Sequence, residues 1–339
     1  MRVVPVVAVS LVAALLFCQG LSQHLPLICH ESPAGIAGGS LESASIQSVT
    51  TEDMAGAART SAEAIPTYVP NDSYFDKQWA FEKVRAGQAA SDNPEILVAI
   101  LDTGIDLQHE DLAGKVVAGV NLTGSPTASD ILGHGTHVAG IIAAAANNGI
   151  GIAGLAPNSR LLNVKAADDS GMVWPSEIAR GIVWAVDNGA RIINMSLVVP
   201  APSPALEEAV DYAWSRGVVL IAAAGNDIKS IPVYPACYPN VIAVAATDTG
   251  DRLWTGSNYG DWVDVYAPGV EIYSTLPGNE YGYKSGTSMA AACVTAAAAL
   301  SFTTVTDVNG DGFLNDEVTD ALEALFGMPE FRFAPNPKS

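Results

Sequence analysis

Four short segments of the sequence carry side chains suited to chemistry at a carbonyl group. Asp102 opens an Asp-Thr-Gly turn at the end of the apolar run Ile96–Leu101, where an acid can orient an imidazole. His134 begins the motif His-Gly-Thr-His, and Ser288 begins an alanine-rich stretch whose first amides favour negative charge beside the hydroxyl. Asn226 ends a second apolar run with an amide that can donate to an oxyanion. Each segment alone is a weak signal.

Alternative interpretations exist for three of these residue types. A second Asp-Thr-Gly at Asp248–Gly250 suggests an aspartic protease dyad, but that class is nearly all-β, and helical stretches separate the two copies here. The sequence therefore predicts a plain turn at Asp248–Gly250. A metal pair of His134 and His137 lacks a third ligand at suitable spacing. For the motif of Ser288 in isolation, a helix N-cap is the stronger interpretation.

Short apolar runs alternate with helical stretches beyond Pro66. Runs typical of strands buried on both faces are Ile96–Leu101, Arg160–Lys165, Arg191–Leu197, Val218–Ala224 and Val241–Ala246. Helical spacing occurs in His134–Asn147, Pro175–Asn188, Pro204–Arg216 and Asp316–Leu325. The alternation predicts one α/β domain, with a doubly wound, mostly parallel sheet and helices on both faces. Active sites in such sheets lie at the carboxyl ends of strands, where Asp102 stands.

Composition excludes one class of partner. The 339 residues include 16 Lys and Arg against 36 Asp and Glu, and a net charge of −20 is unsuited to binding nucleic acid. Hydrophobic residues make up 49% of the chain and charged residues 15%, which predicts a large packed core.

The N-terminal residues predict export. Residues 1–22 have one positive charge, an apolar run too short to span a membrane, and then small residues, as in a cleaved signal peptide. Residues 23–66 are interpreted as a propeptide or linker, 67–330 as the single folded α/β domain and 331–339 as a tail. We expect a secreted protein with no membrane attachment after cleavage; the medium, a periplasm and a lysosome-like compartment all stay open as destinations.

The cysteines do not predict a disulfide framework. Signal cleavage leaves Cys29, Cys237 and Cys293, which is an odd number. Cys237 and Cys293 are interpreted as small buried hydrophobic residues, and a bond between them stays open because sequence does not show whether they meet.

Taken together, the segments around Asp102, His134, Asn226 and Ser288 resemble the subtilisin-like serine proteases, closest to their thermitase branch, over roughly residues 68–326. Further stretches similar to that branch are Tyr68–Trp79, His109–Lys115 and Gly151–Pro157. The resemblance implies that Ser288 is the nucleophile, His134 the general base and later acid, and Asp102 the orienting carboxylate. It also implies an oxyanion hole formed by Asn226 and the Ser288 amide.

By the same resemblance, substrate lies as an extra strand between two edge segments. The residues that it assigns to substrate binding are Gly171, Met172, Val173, Ser196, Leu197, Val198, Val199, Ala224 and Gly225. The family usually has glycine at the positions of Val198 and Val199, and small residues at those of Met172 and Val173. A β-branched side chain beside the primary pocket should shrink it, so we expect a preference for small residues before the cleaved bond, or weak activity.

The resemblance implies calcium as a cofactor. The positions that match the family's strong calcium site are Asp72, Asp111, Ala145, Asn148, Ile150 and Ile152. Ca²⁺ prefers oxygen ligands, which here would be the three polar side chains and the carbonyls of the other three residues.

A second calcium candidate follows from loop spacing. Acceptors stand at loop positions one, three, five and nine, with glycine at six: Asp307, Asn309, Asp311, Asn315 and Gly312. Val318 holds position twelve, so Asp316 or Glu317 would have to supply the missing ligand.

Three functions stay open at this point. The four retained active-site residues indicate a monomeric secreted endopeptidase that acts on protein or peptide substrates, with the pro-segment as its inhibitor. A binding protein whose cleft is filled by Met172 and Val198 is the alternative. A calcium-dependent docking module at Asp307–Asn315 covers too little of the chain to explain the rest.

Overall fold

The computed structural model describes residues 69–84, 95–302 and 304–326. Its strands are β1 (Leu97–Asp102), β2 (Val116–Asn121), β3 (Arg160–Lys165), β4 (Ile192–Met195), β5 (Val219–Ala223), β6 (Ile242–Thr247), β7 (Val265–Pro268), β8 (Ile272–Leu276) and β9 (Glu280–Lys284). Its helices are α1 (Ala80–Lys83), α2 (His134–Ala143), α3 (Pro175–Asp187), α4 (Pro204–Trp214), α5 (Thr287–Ser301) and α6 (Asn315–Phe326).

One parallel sheet carries the chemistry-bearing loops. Seven strands follow the order β2-β3-β1-β4-β5-β6-β7, while β8 and β9 form a separate antiparallel hairpin. Strands β2 and β3 lie on one side of β1 in the sheet, and β4 to β7 lie on its other side. The direction in which successive strands are added therefore reverses at β1. A crevice forms outside the carboxyl ends of strands at such a point. Asp102, the last residue of β1, lies at this crevice.

Both faces of the sheet are covered, which is why its strands are almost entirely apolar. Val98 and Ile100 of β1 belong to a core cluster shared with α2 and α5. Ala99 and Leu101 belong to a second cluster, shared with α3 and α4. Alternate residues of one strand therefore face opposite layers of helices. The doubly wound α/β fold predicted from the sequence is confirmed.

The predicted elements occur with shifted ends. Arg160–Lys165 is a strand as predicted, whereas α2 ends at Ala143 instead of Asn147 because Ala144 turns to extended backbone with ψ of 145°. The sequence analysis did not predict β2, β7 or the β8–β9 hairpin. In β2, half-buried residues alternate with exposed ones, so this edge strand lacks the continuous apolar run that marks the central strands.

Helix α2 lies unusually close to the end of β1. A Cβ atom added at Gly135 would be 2.1 Å from the carbonyl oxygen of Gly104 and 3.0 Å from Cβ of Asp102. Glycine is therefore required at the second position of α2. The close approach puts the first residue of the helix, His134, beside the last residue of the strand, Asp102.

Some predictions fall on residues outside the described ranges. The signal peptide at 1–22, the propeptide at 23–66, Cys29 and the tail at 331–339 are among these. In the described part, Cys237 and Cys293 are both free, so the open question of a bond between them is answered in the negative. Among the helices of the described residues, none has the length and apolar character needed to cross a membrane.

Candidate active site

A hydrogen bond joins the carboxylate of Asp102 to the imidazole of His134. The Nδ1 atom of His134 lies 2.7 Å from Oδ1 of Asp102. Asp102 is fully buried, whereas 27% of the His134 side chain is exposed. The backbone amide of Thr103 donates to the same Oδ1 at 2.7 Å, which fixes the carboxylate. Because Nδ1 faces an acceptor, the proton of the neutral ring sits there and Nε2 is the basic nitrogen.

The protonation of His134 is set mainly by its partner. Burial lowers the pKa of His134, but the charge of Asp102 and its hydrogen bond outweigh burial, so this pKa is raised above its ordinary value of 6.5. Lys284 lowers the pKa and Asp130 raises it, both by smaller amounts. A ring that holds a proton more firmly than an ordinary imidazole suits a general base that later acts as an acid.

Ser288 lies in the first turn of α5 and is 7% exposed. Its Oγ donates to the carbonyl of Ser196 at 3.4 Å, and no hydrogen bond between Ser288 and His134 is found among the described residues. Such contacts are often long in substrate-free enzymes and tighten when substrate binds. The backbone amides of the first helical turn lack intrahelical acceptors, so they favour negative charge beside this hydroxyl.

Buried polar side chains anchor α5 to β4 beneath Ser288. Thr295 donates through Oγ1 to Oδ1 of Asn194 at 2.9 Å, and Asn194 donates through Nδ2 to Oγ of Ser196 at 2.9 Å. Ser196 in turn donates to the carbonyl of Ser288 at 3.2 Å. The sequence analysis missed Asn194 and Thr295. Each is a single polar residue inside an apolar run, and nothing local in the sequence distinguishes it from an ordinary buried residue.

The side chain of Asn226 is held in one orientation by the residue before the candidate nucleophile. Its Oδ1 accepts from the amide of Thr287 at 2.9 Å and from Oγ1 of Thr287 at 3.0 Å. Because a backbone N–H requires an acceptor, this contact fixes which end of the amide is oxygen. The Nδ2 group is thereby turned away from Thr287 and can donate to an oxyanion.

The first edge segment presents backbone from Val173. An isolated antiparallel bridge joins Ala167 and Val173, and its hydrogen bond runs between flanking residues, from the amide of Asp168 to the carbonyl of Met172 at 2.9 Å. In a bridge of this kind, the N–H and C=O of Val173 point away from Ala167. The amide of Met172 donates to the Asp168 carboxylate at 3.0 Å, so in this segment the backbone of Val173 is the part that faces outward.

The second edge segment presents backbone from Val198. Val199 exchanges two backbone hydrogen bonds with Tyr234, at 2.7 and 2.9 Å, so the N–H and C=O of its neighbour Val198 face the opposite side. The Val198 side chain is 40% exposed. Its Cγ1 would lie 3.7 Å from a Cβ atom at Gly225, so it stands across the slot between this segment and Gly225. Leu197 and Ala224, which precede Val198 and Gly225 in the chain, are buried.

Two buried carboxylates lie close to the loop at 145–152. Asp72 and Asp111 are 5% and 0% exposed. Asn147 donates its amide to Asp72 at 2.9 Å, Asn148 donates its Nδ2 to Asp111 at 2.8 Å, and Ile152 donates its amide to Asp111 at 2.8 Å. Burial raises the pKa of Asp111.

This donor set fits Ca²⁺. In the described part of the chain, neither Asp72 nor Asp111 forms an ion pair with Lys or Arg, and a bound cation would neutralise both buried carboxylates. Across the described residues no three His, Cys, Asp or Glu side chains are grouped to hold a metal. A site here would therefore depend on two carboxylates together with neutral oxygens, such as Asn148 and the carbonyls of Ala145, Ile150 and Ile152.

The loop at 307–315 is folded around its own carboxylates. Asp307 accepts from the amides of Gly310 and Gly312 at 2.6 and 2.9 Å, and Asp311 accepts from the amide of Phe313 at 2.7 Å. Asn309 donates to Asp311 at 3.2 Å. These are contacts of a tight polar turn, and calcium binding at Asp307, Asn309 and Asp311 stays a prediction.

The structure places Asp248 and His137, the residues of two alternative interpretations, in contacts of their own. Asp248 forms a turn, closed by the amide of Asp251 at 3.0 Å, and its carboxylate pairs with Arg252 at 2.7 Å. His137 is buried and bonded through Nε2 to the carbonyl of Gly282 at 3.1 Å, away from the Asp102 partner of His134. Burial lowers the pKa of His137 to about 3. The turn predicted at Asp248–Gly250 is found. His134 and His137 bind different partners, Asp102 and the carbonyl of Gly282.

Comparison with known proteins assigns the family. Residues 93–316 match the family described as "Subtilase family". The chain is 47% identical over 257 residues to a thermophilic serine proteinase of Bacillus sp. (strain AK1), a match covering 76% of this chain and 60% of that protein's length. It is 46% identical over 237 residues to thermitase of Thermoactinomyces vulgaris, covering 69% of this chain and 85% of that protein. It is 45% identical over 226 residues to Subtilisin Savinase of Lederbergia lenta, covering 66% and 82%. The protein therefore belongs to the subtilase family, near its thermitase branch.

Proposed function

We propose that this protein is a secreted serine endopeptidase that hydrolyses peptide bonds through Asp102, His134 and Ser288. The observation that carries the proposal is the 2.7 Å contact between Asp102 and His134, made at the same end of the sheet as Ser288. The named activities of the relatives point the same way.

The reaction follows from the groups present. His134 Nε2 takes the hydroxyl proton of Ser288 while Oγ attacks the peptide carbonyl, and Asp102 stabilises the imidazolium. The C–N bond then breaks and the same proton passes from His134 to the leaving amine. Water, activated by His134, cleaves the ester that remains on Ser288. The negative oxygen formed in each addition step receives hydrogen bonds from Nδ2 of Asn226 and the amide of Ser288.

Substrate selection is proposed to follow from Val198. Backbone of Val173 and Val198 would pair with an extended peptide on its two sides, and the side chain before the cleaved bond would enter the slot between Val198 and Gly225. Gly225 has φ of +95°, and a Cβ atom there would lie 2.6 Å from Nδ2 of Asn258, so this wall of the slot is glycine backbone and has no room for a side chain. With Val198 across the slot, small side chains such as Ala are preferred.

Calcium is proposed as a structural cofactor. Asp72, Asp111 and Asn148 would hold it, with carbonyls of the loop at 145–152. When bound, the ion supplies charge neutralisation and a link between this loop and the segment at 71–74, and it takes no part in the acyl transfer. The amide of Tyr74 already donates to the carbonyl of Gly151 at 2.8 Å, so the two segments are in contact.

Export and maturation complete the proposal. Residues 1–22 would direct secretion, and residues 23–66 would inhibit the enzyme until cleaved, leaving a monomer. N-terminal sequencing of protein secreted by an expression host tests this. A mature chain that still begins before residue 23 would overturn it.

The test of the activity is covalent labelling with a fluorophosphonate probe, followed by mass spectrometry of the labelled peptide. Wild-type protein should carry the probe on Ser288, and Ser288→Ala should carry none. The matched control is Ser285→Ala, because Ser285 lies in the same motif, is exposed and, within the described residues, accepts through its hydroxyl just from the amide of Glu271, at 2.9 Å. Folded wild-type protein without label would overturn the proposal and favour a binding protein with a filled cleft.

A further inference from the structure

Asp130 is a buried carboxylate that the proposed reaction does not use. It lies in the loop between β2 and α2 and is 4% exposed. Each of its two carboxylate oxygens accepts two hydrogen bonds, so the carboxylate is well satisfied. No Lys or Arg pairs with it in the described part of the chain. The partners of these bonds are Gly133, Thr103 and Thr136.

The four hydrogen bonds reach both halves of the Asp102–His134 pair. Oδ1 of Asp130 accepts from Oγ1 of Thr103 at 2.9 Å and from the amide of Gly133 at 2.9 Å. Thr103 follows Asp102 in the chain, and Gly133 precedes His134.

Oδ2 of Asp130 extends the contact into the helix. It accepts from the amide and from Oγ1 of Thr136, both at 2.8 Å. The first turn of a helix offers amides without intrahelical acceptors, and its partial positive charge favours a carboxylate. Asp130 therefore caps the N-terminus of α2 at the turn that begins with His134.

A second bond ties the strand end to the same helix. Oγ1 of Thr103, while donating to Asp130, accepts from the amide of Gly135 at 3.0 Å. The hydroxyl thus stands between the carboxylate of Asp130 and the helix that carries His134. Carboxylate, hydroxyl and helix amides form one connected set that joins Thr103, after β1, to the start of α2, both directly through Gly135 and through Asp130.

We propose that Asp130 is a positioning residue that holds the Asp102 carboxylate and the His134 ring in hydrogen-bonding alignment, an inference that rests on the proposed endopeptidase function. Its carboxylate touches neither substrate nor reacting atoms. It acts by fixing the two backbone segments that flank the pair. A misplacement of about 1 Å at reacting groups can cost roughly 100-fold in rate, so this role has a measurable size.

The test variant is Asp130→Asn, which keeps size and shape. Each oxygen of Asp130 faces a backbone N–H, from Gly133 on one side and Thr136 on the other. An asparagine amide therefore puts N–H against N–H in either orientation. We expect kcat to fall about 100-fold while KM changes little, because the substrate-binding edges are untouched.

A pH profile separates positioning from general loss of structure. The charged groups that face His134 are Asp102 on β1, Asp130 before α2 and Lys284 on β9, with His137 on α2 neutral. Removing the charge of Asp130 takes away one group that favours the imidazolium. The acid limb of kcat/KM should therefore move to lower pH in Asp130→Asn, which a merely structural role would not produce.

The matched control is Asp106→Asn. Asp106 also accepts from two backbone amides, those of Gln108 at 2.9 Å and Gly278 at 2.8 Å, but its carboxylate has no contact with Thr103 or Gly133. We expect it to keep wild-type kcat and pH profile.

A second pair of variants serves if Asp130→Asn fails to fold. Thr103→Val removes the bridging hydroxyl, and Thr103→Ser restores it, so Thr103→Ser should retain far more of the wild-type kcat than Thr103→Val. Equal kcat values in this pair, or wild-type kcat and pH limb in Asp130→Asn, would overturn the inference. Wild-type protein that neither labels nor hydrolyses would overturn the proposed function itself, whereas an active wild type with an unaffected Asp130→Asn overturns only the positioning role.

Discussion

The hydroxyl of Ser288 donates to the carbonyl of Ser196, 3.4 Å away, and in return Oγ of Ser196 donates to the carbonyl of Ser288 at 3.2 Å. This exchange fixes the start of α5 against the end of β4. The carbonyl that holds the hydroxyl belongs to the edge segment proposed to pair with substrate. Binding of a peptide there would compete for this acceptor and turn the hydroxyl toward His134. Under the proposed function, one carbonyl would thus couple the substrate strand to the nucleophile.

Removal of the proposed oxyanion donor should lower kcat with little change in KM. Asn226→Ala takes away Nδ2, which acts only when the carbonyl oxygen becomes negative, so a loss of about 100- to 1,000-fold in kcat is expected, a magnitude borrowed from subtilisin itself. Steady-state kinetics on a peptide substrate measure it. Asp227→Ala is the control, since Asp227 is exposed and pairs only weakly with Lys229, at 3.7 Å. A loss confined to KM would contradict the assignment.

The restriction of the slot can be tested by removing its cause. Val198→Gly should raise kcat/KM for peptides with a large apolar or aromatic residue before the cleaved bond, because the slot opens. One methylene group more or less in an apolar pocket changes the ratio of kcat/KM between two substrates by about 10- to 200-fold. The same variant should hydrolyse peptides with Ala at that position at close to the wild-type rate, which serves as its internal control. An unchanged ratio between large and small residues would rule out Val198 as the determinant.

The pH dependence of kcat/KM should reflect the charges around His134, because they set the pKa of its ring. His134 must be neutral to act as base, and its pKa is raised, so kcat/KM should climb with pH through a value above 6.5. Lys284 lowers that pKa, so Lys284→Gln should move the acid limb to higher pH, opposite to Asp130→Asn. Added salt should reduce the shift, because it screens partly exposed charges. A limb that moves to lower pH in Lys284→Gln would contradict this account.

Sequence patterns predicted the central sheet because residues such as Val98 to Leu101 are apolar on both faces. Asp102, His134, Asn226 and Ser288 were predicted from four local motifs, each weak by itself, which resemble the subtilisin-like serine proteases only when taken together. Patterns did not reveal Asp130 or Asn194. Asp130 bonds mainly to its near neighbours Gly133 and Thr136, and its link to Thr103 forms only when α2 approaches the end of β1. Asn194 bonds to Thr295, far along the chain, and that contact forms only when α5 packs against β4.

Calcium should stabilise the protein through Asp72 and Asp111. A ligand at about 100 times its dissociation constant adds roughly 2.7 kcal/mol to the free energy of unfolding. The thermal midpoint should therefore rise with added Ca²⁺ and fall with a chelator, and Asp72→Asn and Asp111→Asn should each remove most of that rise. Asp76→Asn is the control, because Asp76 is exposed on the neighbouring turn. Equal responses of all three variants to calcium would exclude the proposed site.

Replacement of the buried Lys165 should destabilise the fold. Its ammonium group is fully buried, pairs with Asp169 at 2.8 Å and donates to the carbonyl of Thr103, next to Asp102. Lys165→Met leaves the Asp169 carboxylate partly buried without its cation, and breaking a buried pair in this way costs about 3–5 kcal/mol. Urea unfolding measures the loss.

The double variant Lys165→Met with Asp169→Asn is the control for the stability loss of Lys165→Met. Removing both charges takes away the uncompensated carboxylate, so the double variant should recover a large part of the stability lost in Lys165→Met. If the two losses simply add, the ion pair contributes nothing and the packing of the Lys165 stem accounts for its burial. Because Lys165 lies opposite Asp102 in the register of β1 and β3, activity measured on the double variant also reports whether this cation helps to hold the turn at Thr103.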